Sequence, residues 1–381
     1  MVLKKGFLDG ARILITGGSG SWGNELVKQI LEKHDPKEIR IYSRGEMNQV
    51  RMKRRFHGEK CLKFVIGDVR DRDKLQTAMI KVDYVFHMAA LKHVPVCEEN
   101  AWESVLTNVV GTQNVIDTAI VANVKKVIDI STDKAVDPFN LYGTCKAVGE
   151  KLMIAANQHD TDTAFVCVRG GNVLGTSGSV VPLFRDQILK TGSITITSQD
   201  MTRFMMSLPE AINLIFEATK SSVGGEIFVM KMPALELIDL AEVMIEELGP
   251  HWKKAVANTG SKAGDINIKQ IGIRPGEKMH EVLVSRYETP NCIERGPYHI
   301  ILPNIKFAAI EEKYADMSRT GLDEFNSLNA QRLSKKDIKE MLDKEGWLSP
   351  TYKHHQLLKD LNAEQLLKFQ ESEGWKPRGS K

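Results

Sequence analysis

The chain has 381 residues, a length that suggests about two domains. Its hydrophobic fraction of 42% and charged fraction of 27% exclude disordered, collagen-like and disulfide-scaffold classes. Lys+Arg 52 against Asp+Glu 49 leaves a net charge of +3, so no nucleic-acid partner is indicated and any anion site must be local.

The start, MVLKKGFLDGARILITGG, has no apolar run of the kind a signal peptide needs. No stretch of about 18 apolar residues occurs anywhere, so no membrane span is expected. The five cysteines form no C-x-x-C pair, which fits free thiols in a reducing compartment and gives no zinc spacing. A cytoplasmic protein without a metal is the expectation.

Apolar runs at Arg12–Thr16, Ile39–Ser43, Lys63–Ile66, Tyr84–Met88, Lys126–Ser131 and Ala164–Val168 predict buried strands. Between them, apolar residues three and four apart predict helices over Gly23–Lys33, Glu46–Phe56, Asp71–Ile80, Trp102–Asn123 and Leu141–Asn157. This alternation implies an α/β fold, a Rossmann-type doubly wound parallel sheet with helices on both faces. Beyond Gly170 a Gly/Ser/Thr-rich loop precedes predicted helices at Pro182–Lys190, Pro209–Lys220 and Ile238–Leu248, and strands near Ile194–Thr197 and Ile268–Ile273. At the C-terminus, Leu333–Trp347 and Leu361–Trp375 align without gaps and read as two short amphipathic helices, each closed by a glycine. The expected division is residues 1–170 for the cofactor and the catalytic Tyr and Lys, 171–330 mainly for substrate and possibly interleaved with the first, and 331–381 as a helical extension.

The segment TGGSGSWG follows the first strand and opens a helix, with glycines at Gly17, Gly20 and Gly23. Such glycines give a tight turn, let a pyrophosphate approach the backbone, and permit close helix–strand packing. Ser19, Ser21 and Trp22 belong to the same dinucleotide cradle. An acidic residue at the end of the second strand would favour NAD through the ribose hydroxyl. This chain has Ser43-Arg44 there, and an arginine suits a 2′-phosphate, so NADP is expected over NAD. Arg51–Arg55 reads as a solvated helix face. Asp68 and Val69 follow the third strand, where adenine is expected, and Ala89, Ala90 and Lys92 follow the fourth, near the cofactor's middle. Asn108 joins this cofactor set.

STDKAVDPFNLYGTCK carries the densest chemistry. Tyr142 and Lys146 are four apart and share a helix face. An ammonium beside a phenol favours the phenolate, so the phenol pKa is expected to fall. Lys146 is also expected to hold the nicotinamide ribose, and Thr132 to hydrogen-bond the reacting oxygen. This is an arrangement for moving a hydride to or from a carbinol carbon.

These residues resemble the extended short-chain dehydrogenase/reductases. Together with AALKHVPVCEEN, TNVVGTQNV, GNVLGTSGSVVPLF, MTRFMM and IRPGEKMHEVL, they resemble the C5-inverting UDP-N-acetylglucosamine 4,6-dehydratases and related polysaccharide (capsule) biosynthesis proteins, which include 4-epimerases. The resemblance spans roughly residues 10–335. It implies oxidation of the sugar C4 hydroxyl by NADP, loss of the C5 proton, departure of water from C6 and return of the hydride to C6. It implies Tyr142 with Lys146 for the C4 hydroxyl, Lys134 as C5 base and Asp133 as acid. Burial and the nearby charge of Lys146 are expected to lower the Lys134 pKa. C5-retaining dehydratases carry Asp-Glu where this chain has Asp133-Lys134, which favours inversion. On the substrate side the resemblance implies Arg203, Arg274 and Asn172 at the diphosphate and Glu277 at the nucleoside ribose, with Lys92 and Val180 also lining the UDP-sugar site. Each of the charged ones has an intradomain ion pair as its alternative. His93 is either a pocket residue or a packed core histidine. Family members carry a tyrosine at Gly171, and its loss is expected to open the pocket. A UDP-sugar 4-epimerase and a non-catalytic NADP-binding protein are the alternatives. A homo-oligomer is implied, paired through the helices at Trp102–Asn123 and Leu141–Asn157.

Overall fold

The computed structural model describes residues 6–176, 179–258, 264–273 and 276–349. The six predicted strands all form: β1 (Arg12–Thr16), β2 (Glu38–Ser43), β3 (Leu62–Ile66), β4 (Tyr84–His87), β5 (Lys126–Thr132) and β6 (Ala164–Gly170). They lie parallel in the order β3-β2-β1-β4-β5-β6. Their apolar runs are buried because helices cover both faces, as a parallel sheet requires. Two clusters hold these faces, one around Leu14, Val85, Val127 and Phe165, the other around Ile13, Ile15, Phe86 and Val168.

Three strands from beyond residue 170 rejoin this sheet. Ile227–Met230 pairs parallel with β6, and the hairpin Cys292–Arg295/Tyr298–Ile301 extends it to nine strands. The sequence does not mark them, because each is only four residues long, two of the three carry charged or polar residues, and their pairing is long-range.

The helices α1 (Ser21–Lys33), α2 (Glu46–Arg55) and α3 (Arg72–Met79) match expectation within a few residues. The predicted single helix over Trp102–Asn123 does not. It begins as α-helix at Ala101–Val105, widens to a π-helical turn at Leu106–Val110 and resumes at Gly111–Val121. An extra residue per turn leaves no mark on the apolar pattern over so short a stretch. The helix Leu141–Ala156 follows, capped by the Asn140 side chain on the Gly143 N–H at 2.8 Å.

The remaining chain builds a smaller lobe over the C-terminal edge of the sheet. Strands Asn172–Val173, Thr202–Met206 and Ala234–Glu236 make one small sheet, and Ser193–Ile196 pairs with Asn267–Gln270. Helix Val180–Thr191 packs on helix Leu237–Ala257. The latter runs nine residues past its predicted end at Leu248, through Gly249-Pro250. Proline removes a donor, but burial of the preceding turns carries the helix on. MTRFMM, read as a motif, is a fully buried strand from Thr202 to Met206.

The expected helix near Leu333–Trp347 spans Lys335–Lys344. Ser334 and Asp337 form a capping box, and Gly346 turns the chain at φ 76°. Ile338, Leu342 and Trp347 close a third core with Leu174, Phe184 and Leu240. The second copy, Leu361–Trp375, lies outside the described residues.

Candidate active site

Every parallel strand ends at the same place. A cavity of about 620 Å³ runs along the C-terminal edge of the sheet, lined by Gly17 after β1, Ser43 and Arg44 after β2, Asp68 after β3, Ala89 to His93 after β4, Ser131 to Thr132 and Lys134 around the end of β5, and Gly170 to Asn172 after β6. The strand order reverses between β1 and β4, the position where doubly wound sheets bind ligands.

The glycine cradle is sterically compelled. Gly17 has φ 66°, and a Cβ there would sit 2.8 Å from the Ala89 nitrogen. At Gly23 a Cβ would meet the Gly18 carbonyl at 2.1 Å. The helix α1 begins at Gly20 with no side-chain cap and no acidic residue in its first turn. Its N–H groups and partial positive charge therefore face the cavity beside Gly20, Ser21 and Trp22, a fit for a dinucleotide pyrophosphate. Ser19 stands behind this wall and donates to Ser43 Oγ at 2.9 Å, linking the turn after β1 to the end of β2. Arg44 Nη1 lies 3.7 Å from Asp68 Oδ2, with half of its side chain exposed. Arg70 holds the Asp68 carboxylate at 2.6 Å, while Val69 lines the wall beside it. Asn108 lies off the wall. It braces the segment after β4 by two 2.8 Å bonds with the Leu91 backbone.

Tyr142 and Thr132 reach the wall, and Lys146 lies behind them. Lys146 Nζ sits 3.1 Å from Asp129 Oδ2, and both side chains are buried. Burial alone would depress the lysine, but Asp129 outweighs it and raises the pKa. The expected fall of the Tyr142 phenol is not found. Burial raises it, and Lys146, Lys134 and a hydrogen bond with Thr132 only partly pull it back.

Lys134 is on the wall, with Asp133 buried behind it. Its Nζ is 3.0 Å from Asp133 Oδ1 and 3.5 Å from Glu281 Oε1. Here too the expected depression is overturned. Burial opposes the charge, but two carboxylates prevail and hold Lys134 well above the ordinary lysine range.

Of the substrate-side residues, Lys92, Asn172 and Val180 line the cavity. Arg203 and Glu277 are off the wall and face each other at 3.6 Å, and the Arg203 guanidinium also donates to the Thr202 and Met279 carbonyls. Arg274 lies outside the described residues. His93 is exposed on the wall rather than packed in the core. Gly171 does not open a void. A Cβ there would meet Met232 Sδ and Phe204 Cβ at 2.8 Å, so neighbours already occupy the space.

Sequence reasoning missed Asp129, Glu281 and Thr107. A carboxylate inside the apolar run KVIDIS was the available signal for Asp129, since a buried charge demands a partner. Glu281 closes the motif IRPGEKMHE but lies far from Lys134 in sequence. Thr107 lines the cavity from the π-helical turn with its hydroxyl buried and unsatisfied, and no sequence pattern marks it.

This sheet, the glycine turn and the Thr132–Tyr142–Lys146 placement define an extended short-chain dehydrogenase/reductase. The chain belongs to the polysaccharide biosynthesis protein family, whose profile matches residues 13–303. It is 40% identical over 311 residues to a UDP-N-acetylglucosamine 4,6-dehydratase (inverting) of Campylobacter jejuni, covering 81% of this chain and 87% of that one. It is 42% identical over 341 residues to a UDP-glucose 4-epimerase of Rickettsia prowazekii, covering 87% and 94%. The X-ray structure of Pen from Bacillus thuringiensis superposes with a TM-score of 0.81 at 38% identity, covering 90% of this chain and all (100%) of that one.

Proposed function

We propose that the protein is an NADP-dependent, C5-inverting UDP-N-acetylglucosamine 4,6-dehydratase that makes a 4-keto-6-deoxy amino sugar for surface polysaccharide. The observation that carries this reading is the Asp133–Lys134 pair. It puts the Lys134 nitrogen on the cavity wall with a buried carboxylate 3.0 Å behind it, beside Tyr142. A 4-epimerase needs the tyrosine and Lys146 but no second acid–base pair. The dehydratase and epimerase relatives support a nucleotide-sugar substrate in either case.

A bound nicotinamide dinucleotide supplies the hydride acceptor and donor. Tyr142 takes the C4 hydroxyl proton while Thr132 orients that oxygen. Ketone formation makes the C5 hydrogen acidic, and Lys134 in its amine form removes it. Asp133 in its acid form protonates the departing C6 hydroxyl. Gly17 to Gly23 hold the pyrophosphate, Ser43 and Arg44 the adenosine 2′-phosphate, and Asp68 and Val69 flank the adenine. Ala89, Ala90 and Lys92 line the middle of the site, with Asn108 bracing them. Asn172, Val180, Arg203, Arg274 and Glu277 serve the UDP side, Arg203 after exchanging its Glu277 contact for phosphate. In this reading residues 1–170 hold the cofactor, 171–330 the sugar nucleotide, and the rest forms the extension.

No helix among the described residues is long and apolar enough to cross a membrane. A cytoplasmic homo-oligomer is the proposed form, paired through exposed Trp102, Val121 and Val148.

The test is the product formed from UDP-N-acetylglucosamine and NADP in heavy water. A C6 methyl signal with deuterium at C5 is expected in the NMR spectrum. UDP-N-acetylgalactosamine lacking that methyl would replace this reading with the epimerase.

A further inference from the structure

Lys134 is flanked by carboxylates from two distant parts of the chain. Asp133 precedes it at the end of β5, and Glu281 precedes the strand Val282–Val284 of the smaller lobe. The Asp133 and Glu281 side chains are only 1% and 3% exposed. The Glu281 backbone is pinned, its N–H donating to Ser327 Oγ at 2.9 Å and its carbonyl accepting from the Ser327 N–H at 2.8 Å. Each carboxylate nevertheless leaves one buried oxygen, Asp133 Oδ2 and Glu281 Oε2, with no hydrogen-bond partner. A site arranged for stability alone would satisfy such atoms. Glu281 is off the cavity wall and touches Lys134 rather than the space a sugar would fill.

We propose that Glu281 is a positioning residue that sets the pH at which Lys134 gives up its proton. This rests on the reading of Lys134 as the C5 base. The Asp133–Lys134 pair has two forms that hold the same number of protons and differ in which group carries one of them. In the first, an ammonium faces a carboxylate. In the second, an N–H bond of Lys134 has broken, an O–H bond of Asp133 has formed, and an amine faces a carboxylic acid. Only the second form offers a base and an acid together. An anionic Glu281 beside the nitrogen favours the first form, and a neutral Glu281 favours the second. The opposing charges come from every side: Arg203, 3.8 Å from Glu281 Oε1, Lys278 facing Glu281, and Lys92 facing Lys134. Tyr142 faces Lys134, and Lys146 acts on that same phenol while paired to Asp129. Burial raises the Glu281 carboxyl itself, so it changes charge closer to working pH than an exposed glutamate does.

The test follows Lys134 directly by NMR of protein labelled with carbon-13 at the lysine Cε, with Lys134→Arg identifying the signal. Glu281→Gln is expected to begin titrating about one pH unit or more below the wild type, as loss of an adjacent opposite charge requires. Glu281→Asp keeps the charge and is expected to stay near the wild-type curve, which separates electrostatics from misfolding. The pH limb of C5 hydrogen exchange is expected to move with the signal, while the limb of C4 oxidation stays. An unmoved Lys134 titration in Glu281→Gln overturns the proposal. If the signal moves but the wild type exchanges no C5 hydrogen, the dehydratase reading fails and the role of Glu281 on Lys134 stands.

Discussion

Lys146 does not stand alone beside Tyr142; its ammonium is locked 3.1 Å from the Asp129 carboxylate on β5. Beneath them His87 is held by Thr16 Oγ1 at 2.7 Å and Thr112 Oγ1 at 3.2 Å. The lysine is thereby fixed in place, and its charge is the largest influence opposing burial at the phenol. Asp129→Asn removes the partner that keeps buried Lys146 charged, so the lysine's pull on the phenol is expected to weaken and the Tyr142 pKa to rise. A phenolate base gains population as pH rises through its pKa, so the rising limb of C4 oxidation moves to higher pH. Removing one partner of a buried pair is also expected to cost about 3 kcal/mol of stability. Nicotinamide absorbance against pH, and a urea titration, read the two effects.

Arg44 is exposed enough to meet a ligand and close enough to Asp68 to be steered by it. Arg44→Ala is expected to weaken NADP binding about tenfold or more, the size of a lost charge-assisted hydrogen bond, and to leave NAD binding nearly unchanged. Calorimetric titration with the two cofactors distinguishes this from a general loss of the site.

His87 gives a pH dependence of stability. Burial lowers its pKa to about 4. A group depressed on folding contributes stability above its unfolded pKa of about 6.5 and loses it as pH falls through the folded value. Stability is therefore expected to decline between about pH 6.5 and 4, with His87 responsible for roughly 3 kcal/mol. His299, also lowered to about 4, adds to the slope. Denaturant midpoints across that window are expected to be flatter in His87→Gln.

Trp347 ties the C-terminal helix to the cavity. Its ring lies on Gly175, whose φ is 70°; a Cβ there would sit 2.2 Å from the indole. The adjoining Leu174, Thr176 and Ser179 to Val181 line the cavity. Trp347→Ala is expected to cost about 3–5 kcal/mol and to raise KM for the UDP-sugar more than for the cofactor. Equal rises in both KM values would remove the specific link to this loop.

The first six strands, the glycine cradle and the Tyr142–Lys146 pair were legible because their signals are local. A buried parallel strand is a short apolar run, a tight turn beside a helix demands glycine, and two residues four apart share a helix face. The C-terminal helix was legible for the same reason, from its apolar spacing and closing glycine. The three strands that complete the sheet were not, since their partners lie far away in sequence.

The sequence by itself determined the first six strands, the cradle and which residue types stand at the end of β5. Only the tertiary structure decided their charge states. The sequence suggested that Lys146 would lower Tyr142 and that burial would lower Lys134. Folding instead buried the phenol deeply enough to outweigh Lys146, and set both Asp133 and Glu281 against Lys134. Coulomb interactions in a buried site depend on separation in space, and a motif records only separation along the chain.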